Sequence, residues 1–253
     1  MADNLRESFR IVAGSRTEGE VRELHGVSIA SANVTFQMFN AAFLSTPVET
    51  AAELTQRLLI ANMHFSARGR EWAWWMCEDW LEPRLRRRAR QLLERQGLRH
   101  STDLPGMCAD RILPPRKPLP ALEMRRVADD TTRLSFCEIG SVCFHVPISW
   151  FREVFDNHVV WANFASYVGY LNGHPVSTAA IVRGAGVLGV YNVATLPGYQ
   201  RHGYGEAVMR HALAEAHREI GEMPVILQST PAGLKLYERM GFRTITRVAV
   251  YAS

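Results

Sequence analysis

The sequence has little of what marks several large protein classes. No apolar run approaches the roughly 20 residues that cross a bilayer, and the opening MADNLRESFR is charged and polar where a secretory leader would be apolar. A cytoplasmic protein without a membrane partner is the expectation. Cysteine is sparse: Cys77, Cys108, Cys137 and Cys143 form no CxxC pair and no dense framework, which predicts reduced core thiols. The nine histidines include no HExxH and no Cys/His cluster at zinc spacing, so no metal site is expected. Excess charge is small as well, at +4. That favours an anionic small ligand but is too slight to argue for nucleic acid.

What is present is a 253-residue chain, 47% hydrophobic, with apolar surface enough for a substantial core. Leu113-Pro114-Pro115-Arg116-Lys117-Pro118-Leu119-Pro120 carries four prolines in eight residues. Such a run neither continues a helix nor sits inside a sheet. It predicts two domains, residues 1–118 and 119–253, each of ordinary small-domain size.

The first half reads as α/β. Glu49 to Asn62 has apolar residues at helical spacing, Trp72 to Cys77 reads as a buried aromatic strand, and Arg84 to Gln96 as a helix stopped by Gly97. A further strand is expected near Met107 to Arg111. Arg84, Arg86, Arg87, Arg88 and Arg90 invite comparison with a phosphate-binding surface. Leu81, Leu85, Ala89, Leu92 and Leu93 share one face of that helix, however, so a solvated arginine face is the expectation. Trp72, Trp74, Trp75 and Trp80 read as core or interface anchors.

The second half has a more regular order. A short helix is expected over Phe151 to Asp156. Phe164 to Leu171, Val176 to Val182 and Val187 to Ala194 read as a meander of strands, with Asn172-Gly173 and Gly184-Ala185-Gly186 at its turns. A long helix over Gly203 to Ile220 follows, then a strand (Val225 to Gln228), a helix (Pro231 to Met240) and a closing strand (Phe242 to Val250). Between the meander and the long helix, Gly203 and Gly205 sit in a loop that opens a helix. Consecutive backbone N–H groups and the positive end of the helix dipole there suit a diphosphate. No Gly-Lys-Ser/Thr follows, as a Walker loop needs, and Val208 stands where GxGxxG needs its third glycine.

Gln200-Arg201-His202-Gly203-Tyr204-Gly205 resembles the Q/R-x-x-G-x-G/A signature of the GNAT superfamily of N-acetyltransferases. Further on, Leu234-Lys235-Leu236-Tyr237-Glu238-Arg239-Met240-Gly241-Phe242 is similar to the family's tyrosine-bearing helix ending in Gly-Phe. The resemblance covers about the last 130 residues. It implies a mixed, mostly antiparallel sheet flanked by helices, acetyl-CoA as acyl donor, and a primary amine as acceptor. By the same resemblance, Val193, Ala194 and Thr195 offer backbone groups to the pantetheine arm. Gln200, Arg201, His202, Gly203, Tyr204 and Gly205 hold the diphosphate, an N–H near Val193 polarises the thioester carbonyl, and Tyr237 is the general acid. A catalytically silent acyl-CoA-binding protein on the same fold is the alternative.

No general base is legible. Tyr191 and Asn192 stand where the family often places one and neither is an ordinary base; Glu138 and His145 are the nearby titratable groups. The acceptor stays open among polyamines, aminoglycosides, amino acids, peptide N-termini and lysine side chains. More faintly, the first half resembles a degenerate second GNAT copy without the glycine loop, in which Arg84 to Gly97 is the counterpart of Leu234 to Gly241.

Overall fold

Tight turns set the strand registers. Asn172 and Gly173 take φ of 50° and 81°, the left-handed pair that a two-residue hairpin matching the strand twist demands. The chain turns back there within a single antiparallel ladder running from Phe164↔Val182 to Leu171↔His174.

The computed structural model describes residues 1–253. The first half comprises α1 (Ala2–Gly14), β1 (Glu20–Leu24), β2 (Val27–Ser31), β3 (Asn40–Leu44), α2 (Ala51–Ser66), β4 (Ala73–Cys77), α3 (Pro83–Arg95) and β5 (Arg99–Ala109). The second comprises β6 (Glu123–Arg126), α4 (Asp130–Phe144), α5 (Ile148–Phe155), β7 (Phe164–Leu171), β8 (His174–Gly184), β9 (Val187–Thr195), α6 (Tyr204–Ile220), β10 (Val225–Gln228), α7 (Leu234–Arg239) and β11 (Arg243–Ala252). The succession strand-strand-strand-helix-strand-helix-strand therefore occurs twice, from β1 to β5 and from β7 to β11.

All strands join one 11-stranded sheet in the order β1-β2-β3-β4-β11-β5-β10-β9-β8-β7-β6. Only β3–β4 and β9–β10 pair in parallel, and they occupy equivalent places in the two successions. The closing strands are interleaved at the centre. β11 lies between β4 and β5, and β5 lies between β11 and β10. The proline-rich segment separates the two successions along the chain, but the sheet does not break there. That segment is itself tied down: Leu113 N–H donates to Met240 O at 2.9 Å, and Arg210 donates to Leu113 O at 2.7 Å.

Helices α2 and α3 cover one face of the first half, burying Leu54, Leu58, Phe65, Leu85 and Leu93 against Ile29, Trp74, Met76 and Tyr251. Helices α6 and α7 cover β5 and β7 to β10 through Val208, Met209, Leu213 and Met240. In the second half α4 and α5 pack around Phe136, Phe151 and Phe155. Helix α3 behaves as its pattern predicts. Glu82 caps its first N–H groups, Leu85, Ala89 and Leu93 are buried, and Arg84, Arg87, Arg88 and Arg90 are exposed. Trp72 and Trp74 are core residues, with Phe65 stacked on Trp72 at 5.0 Å between ring centroids.

Two helices lie outside the sequence expectations. Helix α1 turns Leu5, Phe9, Val12 and Ala13 inward and leaves its charged residues on the other side. Buried Asn4 fastens it to the distant β8–β9 hairpin by donating to Gly184 O at 3.0 Å and Val182 O at 3.2 Å. Helix α4 starts on a capping box, with the Asp129 carboxylate accepting from Thr132 N–H and the Thr132 side chain accepting from Asp129 N–H.

Candidate active site

The site grows from an irregularity in β9. Its ladder to β8 passes from Thr178↔Ala194 to Ala180↔Tyr191, so β9 carries an extra residue, and Asn192 takes φ 49°. This is a β-bulge, which bends a strand and re-aims the groups beside it. On the other side β9 pairs with β10 only through Leu188, Gly189 and Val190. From Tyr191 onward the two parallel strands part.

Hydroxyls of β8 fix the bulge. Thr178 Oγ1 donates to Asn192 O at 2.8 Å and Ser177 Oγ donates to Ala194 O at 2.7 Å. Val193, between these two anchored residues, lines the cavity that opens on the other side. Thr195 Oγ1 lies 2.8 Å from Ser177 Oγ, and Thr195 O accepts from Gln200 Nε2 at 3.2 Å. Of the residues expected to meet an extended arm, Val193 faces the gap, while Ala194 and Thr195 hold the bulge to β8 and to the next loop.

That loop ends β9 and begins α6. Arg201 has φ 65° and Gly203 φ 86°, the latter a conformation that a side chain strains. The absence of a Cβ at Gly205 serves a different purpose: one built there would lie 3.0 Å from Thr195 Oγ1, so the glycine lets α6 approach β9. The backbone N–H groups from Arg201 through Glu206 have no acceptor in the protein; the first N–H past the loop that does is Ala207, donating to Gly203 O at 2.9 Å. These unengaged amides lie at the start of α6, where the helix dipole adds positive potential. The Arg201 side chain is exposed and forms no ion pair. The His202 and Tyr204 rings stack at 5.8 Å on the outer side of the loop.

The equivalent loop of the first half is spent on the protein itself. Val48 N–H donates to Trp80 O at 2.7 Å, Glu82 N–H to Val48 O at 2.9 Å, and Glu49 N–H to the Glu53 carboxylate at 3.1 Å. The guanidinium of Arg57 donates to Thr46 O and Pro47 O, and Arg6 donates to Leu44 O at 3.1 Å. With Val48 and Glu49 N–H engaged, three loop carbonyls taken by Arg57 and Arg6, and the Glu53 carboxylate at its helix start, this loop suits a diphosphate poorly.

A cavity of about 410 Å³ opens where β9 and β10 part. Tyr237, Leu227 and Gln228 line it on one side, Asn192 and Val193 on another, and Leu5, Phe9 and Val12 of α1 on a third. Tyr237 is 8% exposed, its ring meets Phe242 edge-on at 5.9 Å, and it fills part of the core under α6 and α7 while also facing the cavity. Burial pushes its phenol up to about 12, so the hydroxyl keeps its proton throughout the neutral range. Tyr191 is also held protonated by burial, and its hydroxyl is committed to Asn4.

Glu138 and His145 do not reach this cavity. Both are exposed, and His145 caps the end of α4 with φ 55°. The stretch around them does wall the site, but through Phe144 and Val146. The α1 residues on the cavity were not expected, although Leu5, Phe9 and Val12 stand at helical spacing in the sequence.

Residues 158–244 match the family model described as an acetyltransferase (GNAT) domain. The fold of the whole chain is that of solved GNAT structures. A GCN5-related N-acetyltransferase from Kribbella flavida superposes with a TM-score of 0.73 over 100% of this chain and 95% of that one, at 19% identity. A putative GNAT-family acetyltransferase from Novosphingobium aromaticivorans gives 0.58 over 96% and 95%, at 15% identity. A tandem GNAT protein from the clavulanic acid biosynthesis pathway gives 0.53 over 94% and 80%, at 12% identity. No curated protein matches the sequence. No helix is long and apolar enough to cross a membrane.

Proposed function

We propose that this protein transfers an acetyl group from acetyl-CoA to a primary amine, with the CoA loop and the acid supplied by the second half, by direct attack with both substrates bound. The observation that carries the reading is the run of unengaged amides from Arg201 to Glu206 beside the parting of β9 and β10. Those N–H groups and the Arg201 side chain suit the CoA diphosphate. Val193 suits the pantetheine arm by strand-like pairing, and its N–H can donate to the oxygen that gains charge as the amine attacks. Tyr237 holds a proton at the bottom of the gap for the departing thiolate. The first copy serves as wall and scaffold. The cytoplasm, where acetyl-CoA is made and used, is the compartment this reading implies.

The test is release of free CoA from acetyl-CoA in the presence of an amine panel, followed with a thiol reagent. Tyr237→Phe is expected to lower kcat by about 10²–10⁴-fold, the usual worth of a positioned acid, with CoA affinity within about twofold of wild type. If CoA binds and no amine in a broad panel releases it, the silent acyl-CoA-binding alternative replaces this reading.

A further inference from the structure

The cavity beside the proposed thioester position has an unusual lining for a site that must accept an amine. Of its 25 lining residues, 19 are hydrophobic. The polar remainder consists of serine, threonine, asparagine and glutamine, and no Asp, Glu, His, Lys or Arg contributes. Its only titratable side chains are Tyr191 and Tyr237, and burial keeps both uncharged. At the rim the apolar surface continues outward, with Phe144 stacked on Phe151 at 6.2 Å and Trp150 tilted against Phe36 at 6.2 Å.

An alkylammonium entering such a space would shed its hydration without meeting a counter-charge, and nothing on the walls could take its proton. Flat aromatic surface would find partners on every side, since Phe9, Phe36, Phe39, Phe155 and Trp75 all face the cavity. We infer that the acceptor is an apolar aromatic amine of low basicity, an arylamine, which enters already neutral. This rests on the acyl-transfer reading above and specifies its second substrate.

The chemistry then closes without a separate base. The nitrogen lone pair bonds to the thioester carbonyl carbon, and the C–S bond breaks with its electrons on sulfur. One nitrogen-bound proton is surplus and sulfur needs one. The Tyr237 hydroxyl gives its proton to sulfur and regains one from nitrogen, leaving an N-aryl amide and free CoA.

The experiment uses the full chain with acetyl-CoA and three amines: aniline, benzylamine and putrescine. CoA binding is first measured by calorimetry, so that a protein that binds no CoA overturns the transferase reading itself. Given binding, aniline is expected to exceed putrescine in kcat/KM by at least about tenfold, with a profile flat between about pH 6 and pH 9. Benzylamine, with the same ring and a basic nitrogen, is expected to gain about tenfold per pH unit over that range, because only its scarce neutral form is used. Thr102→Glu, which puts a carboxylate on the cavity wall, is expected to shift the preference towards benzylamine. Preference for putrescine, a flat benzylamine profile, no aniline turnover despite CoA binding, or faster reaction with decanoyl-CoA than with acetyl-CoA would each overturn the inference. The last result would mean that the cavity houses an acyl chain.

Discussion

The Tyr191 hydroxyl donates a 2.7 Å hydrogen bond to Asn4 Oδ1, joining the bulged strand of the candidate site to the first helix of the chain. Asn4 is completely buried, and its amide nitrogen donates to the carbonyls at the β8–β9 turn. One side chain thus holds α1 over the cavity and fixes the residue next to Asn192.

Asn4→Ala leaves the Tyr191 hydroxyl without its acceptor and removes the tie between α1 and the β8–β9 hairpin. An unfolding free energy lower by about 1–3 kcal/mol is expected, the scale for a buried polar group left unpaired. Urea denaturation of the variant measures it, and a loss below about 0.5 kcal/mol would mean that α1 is not anchored through this residue.

The interleaving of β5 and β11 makes a second prediction. Residues 119–253 expressed alone lose β5 from between β10 and β11, exposing an unpaired edge on each strand at the centre of the sheet. This piece, although it contains the whole glycine loop and Tyr237, is expected to be aggregated or unfolded and to bind no CoA. Circular dichroism and calorimetry on the fragment decide the point, and a soluble, CoA-binding fragment would contradict it.

Alkaline pH supplies a third. The phenol of Tyr237 is raised from an ordinary 10.0 to about 12 by burial, and that of Tyr191 is raised further in the same direction. Folding therefore favours the protonated forms. The stability this contributes is complete below pH 10, the unfolded value, and is lost as pH rises through the folded values. Thermal melting should be nearly independent of these two residues between about pH 7 and pH 9 and should fall steeply above about pH 10. The alkaline fall should be smaller in Tyr237→Phe, which cannot ionise.

Much of this architecture is legible in the sequence where one local cause dominates. Phe164–Leu171 and Val225–Gln228 are strands at the expected bounds, because a turn signal or a glycine-rich loop frames each apolar run. The glycine loop at the start of α6 is legible for the same reason: Gly203 and Gly205 answer backbone needs confined to a few residues. The interleaving is not legible. The alternation in β5 and β11 says which face is buried and nothing about which strand lies alongside, so a split into residues 1–118 and 119–253 leaves the shared centre of the sheet out of view.

The cavity is hidden for a related reason. It is assembled from α1, α4, α5, α7 and strands β4, β5, β7, β9, β10 and β11, and its character comes from the company its residues keep. Leu5, Phe9 and Val12 show helical spacing among charged neighbours, yet only Asn4 reveals what that face covers. Glu138 and His145 are near the site in sequence, but α4 turns Phe136 and Ile139 inward and leaves Glu138 in solvent. The lack of a base among the cavity residues is thus a property of the folded surface that no motif records.

The central claim is tested most directly by titrating isotope-labelled protein with coenzyme A and following each backbone amide by NMR. The account predicts the largest and earliest shifts at Arg201, His202, Gly203, Tyr204, Gly205 and Glu206, with Val193 following and the Thr46 to Glu53 loop of the first copy unmoved. Unchanged amides in the α6 loop, with the shifts falling instead on that first-copy loop or on the arginines of α3, would contradict it.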